Sequence, residues 1–198
     1  AITIEVTGAS VTAAELNTLD GKTSVDVEVY ADAVTGTIAD LTKVYVTNKA
    51  NFAALGNEAV TITDTVSAAQ ANTIAKATSG NVTAATVTAA TAATLKAALA
   101  DAKGTDALTL TVNGATATAA DLNILDGKTS VAVKVDATQV TGTFTELNKV
   151  YVTNKANFTA LGNETVTISD LVSAAQANTI ALATTGAVTA TTVEAATA

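Results

Sequence analysis

The chain has 198 residues, of which 48% are hydrophobic and 3% aromatic, and its formal net charge is −8. It contains no Cys, His, Met, Trp, Pro or Arg, so disulfides, thiolate metal sites and the usual general base of enzymes are excluded. An acidic chain without Arg is also a poor ligand for nucleic acid, whose binding depends on basic contacts to phosphate. No apolar run approaches the ~18 residues of a membrane span. We therefore expect no enzyme, no nucleic-acid partner and no membrane span.

Short strand patterns recur along the chain, with β-branched residues alternating with polar or small ones, as in a strand with one buried face. The predicted strands are 2–6, 25–29, 60–63 and 82–87, followed by 108–112, 131–135, 166–169 and 188–193.

Helix starts follow these strands at regular places. A Ser or Thr stands three residues before an acidic or Gln residue, which is the spacing of a capping box or its Asp variant. The six pairs are Thr12 and Glu15, Thr37 and Asp40, Ser67 and Gln70, Thr118 and Asp121, Thr143 and Glu146, and Ser173 and Gln176.

The letters LDGKTS follow the first of these helices, at 19–24, and recur at 125–130. Gly-Lys-Thr ends a phosphate-binding P-loop, but the glycine required five places earlier is Leu16 or Leu122, and the order is helix to strand instead of strand to helix. We interpret the motif as a helix end, where Gly21 and Gly127 are predicted to take positive φ.

Internal repetition is the strongest signal in the sequence. A shift of 106 places aligns KVYVTNKANF at 43–52 with the same letters at 149–158, and about 66 of the 92 aligned positions are identical. The sequence predicts a first super-repeat at 1–106, with four strand–helix coils, and a truncated second one at 107–198. The early end of the second copy is interpreted either as the end of a fragment of a longer array or as the true terminus.

These units predict an α/β fold: a strand–helix solenoid that resembles leucine-rich-repeat proteins, with one parallel sheet and about eight coils. Each unit is too small to have its own core, so it must stack on its neighbours as one continuous solenoid. A doubly wound domain and a trimeric fibre with shared strands are the alternatives.

One unit is longer than its neighbours and holds four of the six aromatic residues: Tyr45, Phe52, Tyr151 and Phe158. They are interpreted either as a satellite core under a protruding segment or as a contact surface, because insertions in repeat proteins gather on one face.

Three acidic residues, Glu5, Asp26 and Glu28, are predicted to point outward together from the first two strands. They form either a solvated acidic face or a site for Ca²⁺, which prefers oxygen ligands. The second copy has Thr111, Ala132 and Lys134 at these places, which favours the solvated face. No other cofactor is expected.

The phrases VTAAELNTLDGKTS, VTGTIADLTKVY and SAAQANTIALATTGAVTAT resemble the Ala/Thr/Val-rich repeats of very large bacterial cell-surface proteins, particularly cyanobacterial ones. The AAELNTLDG segment is also similar to short repeats of phage tail fibres. The first resemblance implies an extracellular structural or adhesive module of a long surface protein or filament, whose partners are neighbouring repeats or copies of itself, end to end. The second implies a carbohydrate- or surface-binding segment with surface glycans as partners.

Overall fold

The computed structural model describes residues 2–194 and has a mixed α/β fold with parallel sheets. The chain divides into two compact units, which are described separately. Unit 1 comprises Ala1–Thr88 and Ala98–Thr109, and unit 2 comprises Ala89–Ala97 and Leu110–Ala198. The α/β class and the parallel pairing of the strands are thereby confirmed.

Unit 1 contains two parallel sheets. The first sheet has the order β1-β3-β5 and the second has the order β2-β4-β6-β7-β8. The strands are β1 (Ile4–Gly8), β2 (Val11–Thr12), β3 (Val27–Ala31), β4 (Ala33–Gly36), β5 (Phe52–Ala53), β6 (Ala59–Ile62), β7 (Val82–Ala84) and β8 (Ala107–Leu108). The helices are α1 (Ala13–Asp20), α2 (Ile38–Thr42) and α3 (Ala68–Ala77).

Unit 2 repeats this arrangement, with the sheet orders β9-β11-β13 and β10-β12-β14-β15. Its strands are β9 (Thr111–Val112), β10 (Thr116–Thr118), β11 (Val133–Val135), β12 (Gln139–Gly142), β13 (Phe158–Thr159), β14 (Thr165–Val172) and β15 (Val188–Val193). Its helices are α5 (Ala119–Asp126), α6 (Phe144–Asn148) and α7 (Ala174–Ala183), and α4 (Ala92–Ala98) begins in its segment Ala89–Ala97.

The 106-residue sequence repeat is also a structural repeat. Helices α1, α2 and α3 have the same lengths as α5, α6 and α7, and each begins 106 residues before its counterpart. In both units the alternating apolar positions lie in register. Val34, Val60 and Val82 are successive partners in the second sheet of unit 1, and all three are fully buried. The predicted strands 60–63 and 82–87 therefore bury the face that their alternation indicates, whereas β4, which contains Val34, was not among the predicted strands.

All six predicted helix starts are confirmed. The hydroxyl of each cap residue accepts a hydrogen bond from the backbone N–H three residues later, at 3.1–3.4 Å. At Thr12, Ser67, Thr143 and Ser173 the Glu or Gln side chain also bonds back to the cap backbone, which completes the capping box.

Two expectations from the sequence are wrong in detail. Gly21 and Gly127 do end their helices, but their φ angles are −73° and −77°, because the last turn closes by short bonds from Lys22 N–H to Leu19 O and from Lys128 N–H to Leu125 O. Each unit also has two parallel sheets where one was predicted. Glycines at positive φ, Gly8 and Gly114, turn the chain out of the first sheet after a few residues, and the next short strand joins the second sheet.

Candidate functional site

The longer strand–helix segment of each copy, which contains the letters KVYVTNKANF, includes a distorted helix. After α2 the chain forms a π-helical turn, Lys43–Thr47, closed by a bond of 2.7 Å from Asn48 N–H to Lys43 O, and then a 3₁₀ turn, Lys49–Asn51. The corresponding turns in unit 2 are Lys149–Thr153 and Lys155–Asn157. A π-helical turn is rare and often occurs at functional sites. Here it directs Tyr45 and Tyr151 inward.

The four aromatic residues, interpreted from the sequence as either a satellite core or a contact surface, are buried. Tyr45 and Tyr151 are 1% exposed, and Phe52 and Phe158 are 7% and 6% exposed. Burial of the rings removes large apolar areas from water, so their main contribution is to packing. They cannot present a contact surface in this conformation.

Each buried tyrosine is bonded to a buried glutamate. The Tyr45 hydroxyl donates to Glu58 Oε2 at 3.1 Å, and Gly56 N–H donates to both carboxylate oxygens of Glu58 at 2.9–3.0 Å. In unit 2, Tyr151, Glu164 and Gly162 repeat these bonds at the same distances. A buried carboxylate is costly unless it is hydrogen-bonded, and here the tyrosine and the glycine satisfy it.

Burial and the neighbouring carboxylate raise the pKa of both tyrosines well above its usual value near 10. Burial is the larger cause, and the charge of the paired glutamate adds to it. The phenol therefore stays protonated in the folded chain and remains a hydrogen-bond donor to the carboxylate.

The loop that carries the glutamate is held in an unusual conformation. Ala54 has a φ of 59° and Gly56 a φ of 127°, and their counterparts Ala160 and Gly162 have 58° and 124°. A left-handed alanine costs ~1–2 kcal/mol, so its presence in both copies requires support from the surroundings.

That support comes from the turn after α3. The hydroxyls of Thr78 and Ser79 both donate to Gly56 O, at 3.1 and 3.0 Å. A Cβ at Gly80 would lie 1.9 Å from Glu58 O, and one at Gly186 would lie 1.8 Å from Glu164 O. Only glycine allows these two backbones to approach so closely.

A cleft opens beside this loop in both units. In unit 1 it has a volume of about 460 Å³ and is lined by Val29, Tyr30, Ala31, Asp32, Ala54, Asn57 and Glu58. In unit 2 the cleft measures about 330 Å³ and is lined by the counterparts of those seven residues, Val135, Asp136, Ala137, Thr138, Ala160, Asn163 and Glu164. This duplicated cleft is the candidate functional site.

The two clefts differ in chemistry where the two copies differ in sequence. In unit 1 the cleft carries Tyr30, which is 55% exposed and donates its hydroxyl to Glu28 at 3.1 Å. In unit 2 the equivalent position is Asp136, which is ion-paired with Lys134 at 2.8 Å. Only the cleft of unit 1 therefore presents an aromatic side chain.

The three acidic residues predicted to hold Ca²⁺ are only partly brought together. Glu5 and Glu28 are direct partners across β1 and β3, whereas Asp26 precedes β3. Glu28 also accepts the hydrogen bond from Tyr30. Within residues 2–194, no three His, Cys, Asp or Glu residues form a group that could hold a metal ion. The calcium site stays a prediction.

Sequence reasoning missed Glu58 and Glu164, the acidic residues at the centre of the site. The sequence did carry an indication of these two glutamates, because both copies keep the letters LGNE at 55–58 and 161–164. Burial of a glutamate next to a glycine could not be inferred from periodicity, because the stabilising tyrosine lies 13 residues earlier.

Comparisons with known proteins identify no relative: no family model, no curated protein and no solved structure matches the chain. Among the described residues, no helix has the length and apolarity needed to cross a membrane.

Proposed function

We propose that the chain is a structural repeat module of a long extracellular or cell-surface protein, in which strand–helix coils stack as a solenoid. The observation that carries this proposal is the repetition of one architecture at an interval of 106 residues, down to the buried Tyr–Glu pair. A module that spaces or displays other parts of a long protein requires a repeated fold, with the same packing between successive segments in each copy.

The packing supports the same role. In unit 1, α1 packs on α2 and α2 on α3, and in unit 2, α5 packs on α6 and α6 on α7. Successive strands of each second sheet pair in parallel, so each coil is supported by the coil next to it. Stability that depends on nearest neighbours is characteristic of repeat proteins.

The experiment is to join two copies of the sequence in one chain and to compare small-angle scattering of the single and double chains. A solenoid predicts an elongated particle whose longest dimension increases by a constant amount per added copy, with an unchanged cross-section. Antibodies against the chain should also label intact cells of the source organism. A compact double chain, or labelling only after permeabilisation, would contradict the proposal.

One observation favours carbohydrate binding as a second candidate. Tyr30 is exposed in the cleft of unit 1 beside Asp32 and Asn57, and a flat aromatic ring with nearby polar groups suits the apolar face of a sugar. A glycan array should then detect binding that Tyr30→Ala abolishes and that Asp136→Ala, the matched change in unit 2, leaves intact. Binding that is equal in both variants, or none, would contradict this candidate.

A further inference from the structure

The sequence contains one Asn-Gly pair, Asn113-Gly114, at a position where the two copies differ. The counterpart in unit 1 is Thr7-Gly8. Both glycines take a positive φ, 106° at Gly114 and 115° at Gly8, so the two pairs form the same bend at the end of the first strand of their unit. Only in unit 2 does an amide side chain precede this glycine.

An asparagine that precedes a glycine can lose its amide group without an enzyme. The backbone nitrogen of the glycine gives up its proton and attacks Cγ of the asparagine, a C–N bond forms, the Cγ–Nδ2 bond breaks, and ammonia leaves with a proton. The product is a five-membered succinimide, which water opens at either carbonyl to give aspartate or isoaspartate. Glycine permits the attack because it has no Cβ to obstruct the ring.

The side chain of Asn113 is accessible for this reaction. Asn113 and Gly114 are both exposed. Within residues 2–194, no hydrogen bond joins the Asn113 amide group to another residue. The attacked carbon is therefore neither covered nor held away from the backbone.

The peptide group between the two residues is the part that has to rotate. The chain is anchored on either side of it, because Asn113 N–H donates to Ala90 O at 2.9 Å and Gly114 O accepts from Thr138 N–H at 3.3 Å. In the described part of the chain, neither Asn113 O nor Gly114 N–H forms a hydrogen bond. Rotation of this one peptide group brings the glycine nitrogen toward Cγ and breaks no bond of unit 2.

The corresponding segment of unit 1 is more constrained. In unit 2 the strand β9 ends at Val112, before the pair. In unit 1 the strand ladder continues through Thr7 and Gly8, which are the partners of Tyr30 and Ala31. Rotation at that position would have to open the ladder first.

We propose that Asn113 is a site of spontaneous deamidation in the folded chain, through a succinimide formed with the backbone nitrogen of Gly114. The inference goes beyond the proposed function and does not depend on it.

The reaction changes unit 2 in charge and in main-chain length. An aspartate at 113 adds a negative charge to a chain whose net charge is −8, and the register of β9 and β11, continued by one residue, places Asp136 opposite it. Like charges directly opposite each other destabilise a strand pair. Isoaspartate also adds a methylene to the main chain, between the two anchoring hydrogen bonds. The urea midpoint of the reacted chain should therefore be lower than that of the fresh chain.

The test is incubation of the full chain at mildly alkaline pH in water labelled with heavy oxygen, followed by peptide mapping with mass spectrometry. Opening of the succinimide takes its oxygen from the solvent, so the peptide that contains residue 113 should gain the label. The rate should rise with pH, because the attacking nitrogen must lose its proton. A synthetic peptide of residues 110–117 gives the reference rate for an unconstrained pair.

Two variants exchange the residues of the two copies. Asn113→Thr gives unit 2 the residue that unit 1 carries at this position, so it should fold, and it should not react at 113. Thr7→Asn creates an Asn-Gly pair within the ladder of unit 1. In that variant residue 7 should react about fivefold more slowly than Asn113 of the same chain, which corresponds to the opening of one hydrogen bond.

Solvent-derived label at residue 113, a rate that increases with pH and slower reaction at residue 7 are the expected results. An Asn113 amide that persists in the folded chain after the synthetic peptide has fully converted would overturn the inference. Conversion that is independent of pH, or a rate at residue 7 that equals or exceeds the rate at Asn113, would also overturn it.

Discussion

Helices α3 and α7 share the letters AAQANTIA, and each follows a capping serine, yet their surroundings differ. Ala71 and Ala75 on α3 are buried, whereas Ala177 is half-buried and Ala181 is exposed on α7. The difference comes from residues 98–109, which pack over α3 and β7: Asp101, for example, exchanges two hydrogen bonds with Asn72. The burial of these two identical segments is thus determined by the neighbouring part of the chain as much as by the local sequence.

The largest loss of unfolding free energy is expected at a close contact between two backbone segments that both units share. Gly80→Ala and Gly186→Ala each place a Cβ within 2 Å of a carbonyl oxygen of the glutamate loop, so the backbone must move. We expect each to cost about 3 kcal/mol of unfolding free energy, the upper part of the range for overpacking, measured by urea denaturation.

Gly21→Ala is the control for those two changes. Its φ is negative and the nearest backbone oxygen, that of Thr18, would be 3.6 Å from the new Cβ, so the substitution should be neutral or stabilise the chain by up to about 1 kcal/mol. A Gly80→Ala chain as stable as Gly21→Ala would show that the loop relaxes freely and that the close approach is not required.

The second prediction tests how much the packing of residues 98–109 over β7 contributes to stability. Val82 is fully buried under β8, whereas its counterpart Val188 is half-buried. Val82→Ala should cost about 2 kcal/mol, because it removes two buried methyl groups and leaves a cavity, and Val188→Ala less than about half of that.

Urea denaturation at low protein concentration would measure both costs. Equal costs for the two substitutions would contradict the lower burial of Val188.

The third prediction concerns pH and the buried tyrosines. Because the pKa of Tyr45 and of Tyr151 is raised on folding, the folded chain retains two protons that the unfolded chain releases above pH ~10. The stability from these groups is complete below that pH and is lost above it, by about 1.4 kcal/mol per pH unit for each tyrosine.

Absorbance of tyrosinate and circular dichroism, followed together up to pH 12, would check this expectation. Tyr30 is exposed and should ionise while the chain is folded, although its bond to Glu28 raises its pKa; the other two should ionise only on unfolding. Replacement of both buried tyrosines by Phe should flatten the alkaline dependence. Ionisation of all three tyrosines in a folded chain would contradict their burial.

The sequence predicted the features that depend on chemistry within a few residues. The six helix starts were found because a hydroxyl and the N–H three residues later form one local motif. The burial of Val60 and Val82 could be predicted because alternation within the predicted strands 60–63 and 82–87 indicates one buried face.

Features that depend on distant contacts could not be predicted. The division into two sheets was missed because β2 is only two residues long and its partner, β4, lies in a later part of the chain. The burial of Glu58 was not predicted, because the carboxylate is stabilised by Tyr45 from a different turn. Gly21 kept a negative φ because a three-residue hydrogen bond closed the helix without a left-handed residue.

The smallest expected effect is at the helix caps, and it shows whether the two copies of the helix are equally formed. Ser67 and Ser173 cap α3 and α7 with identical bonds, 3.2 Å from the N–H three residues later and 2.9 Å from the serine N–H to the Gln side chain. Since a cap acts locally, Ser67→Ala and Ser173→Ala should each cost about 1 kcal/mol, although only α3 is covered. Hydrogen exchange at the first turn of each helix would measure the loss helix by helix. If Ser67→Ala destabilised α3 while Ser173→Ala had no effect, α7 would not persist as a helix without a neighbouring segment such as residues 98–109. Contact with that segment would then be required for formation of the helix as well as for its burial.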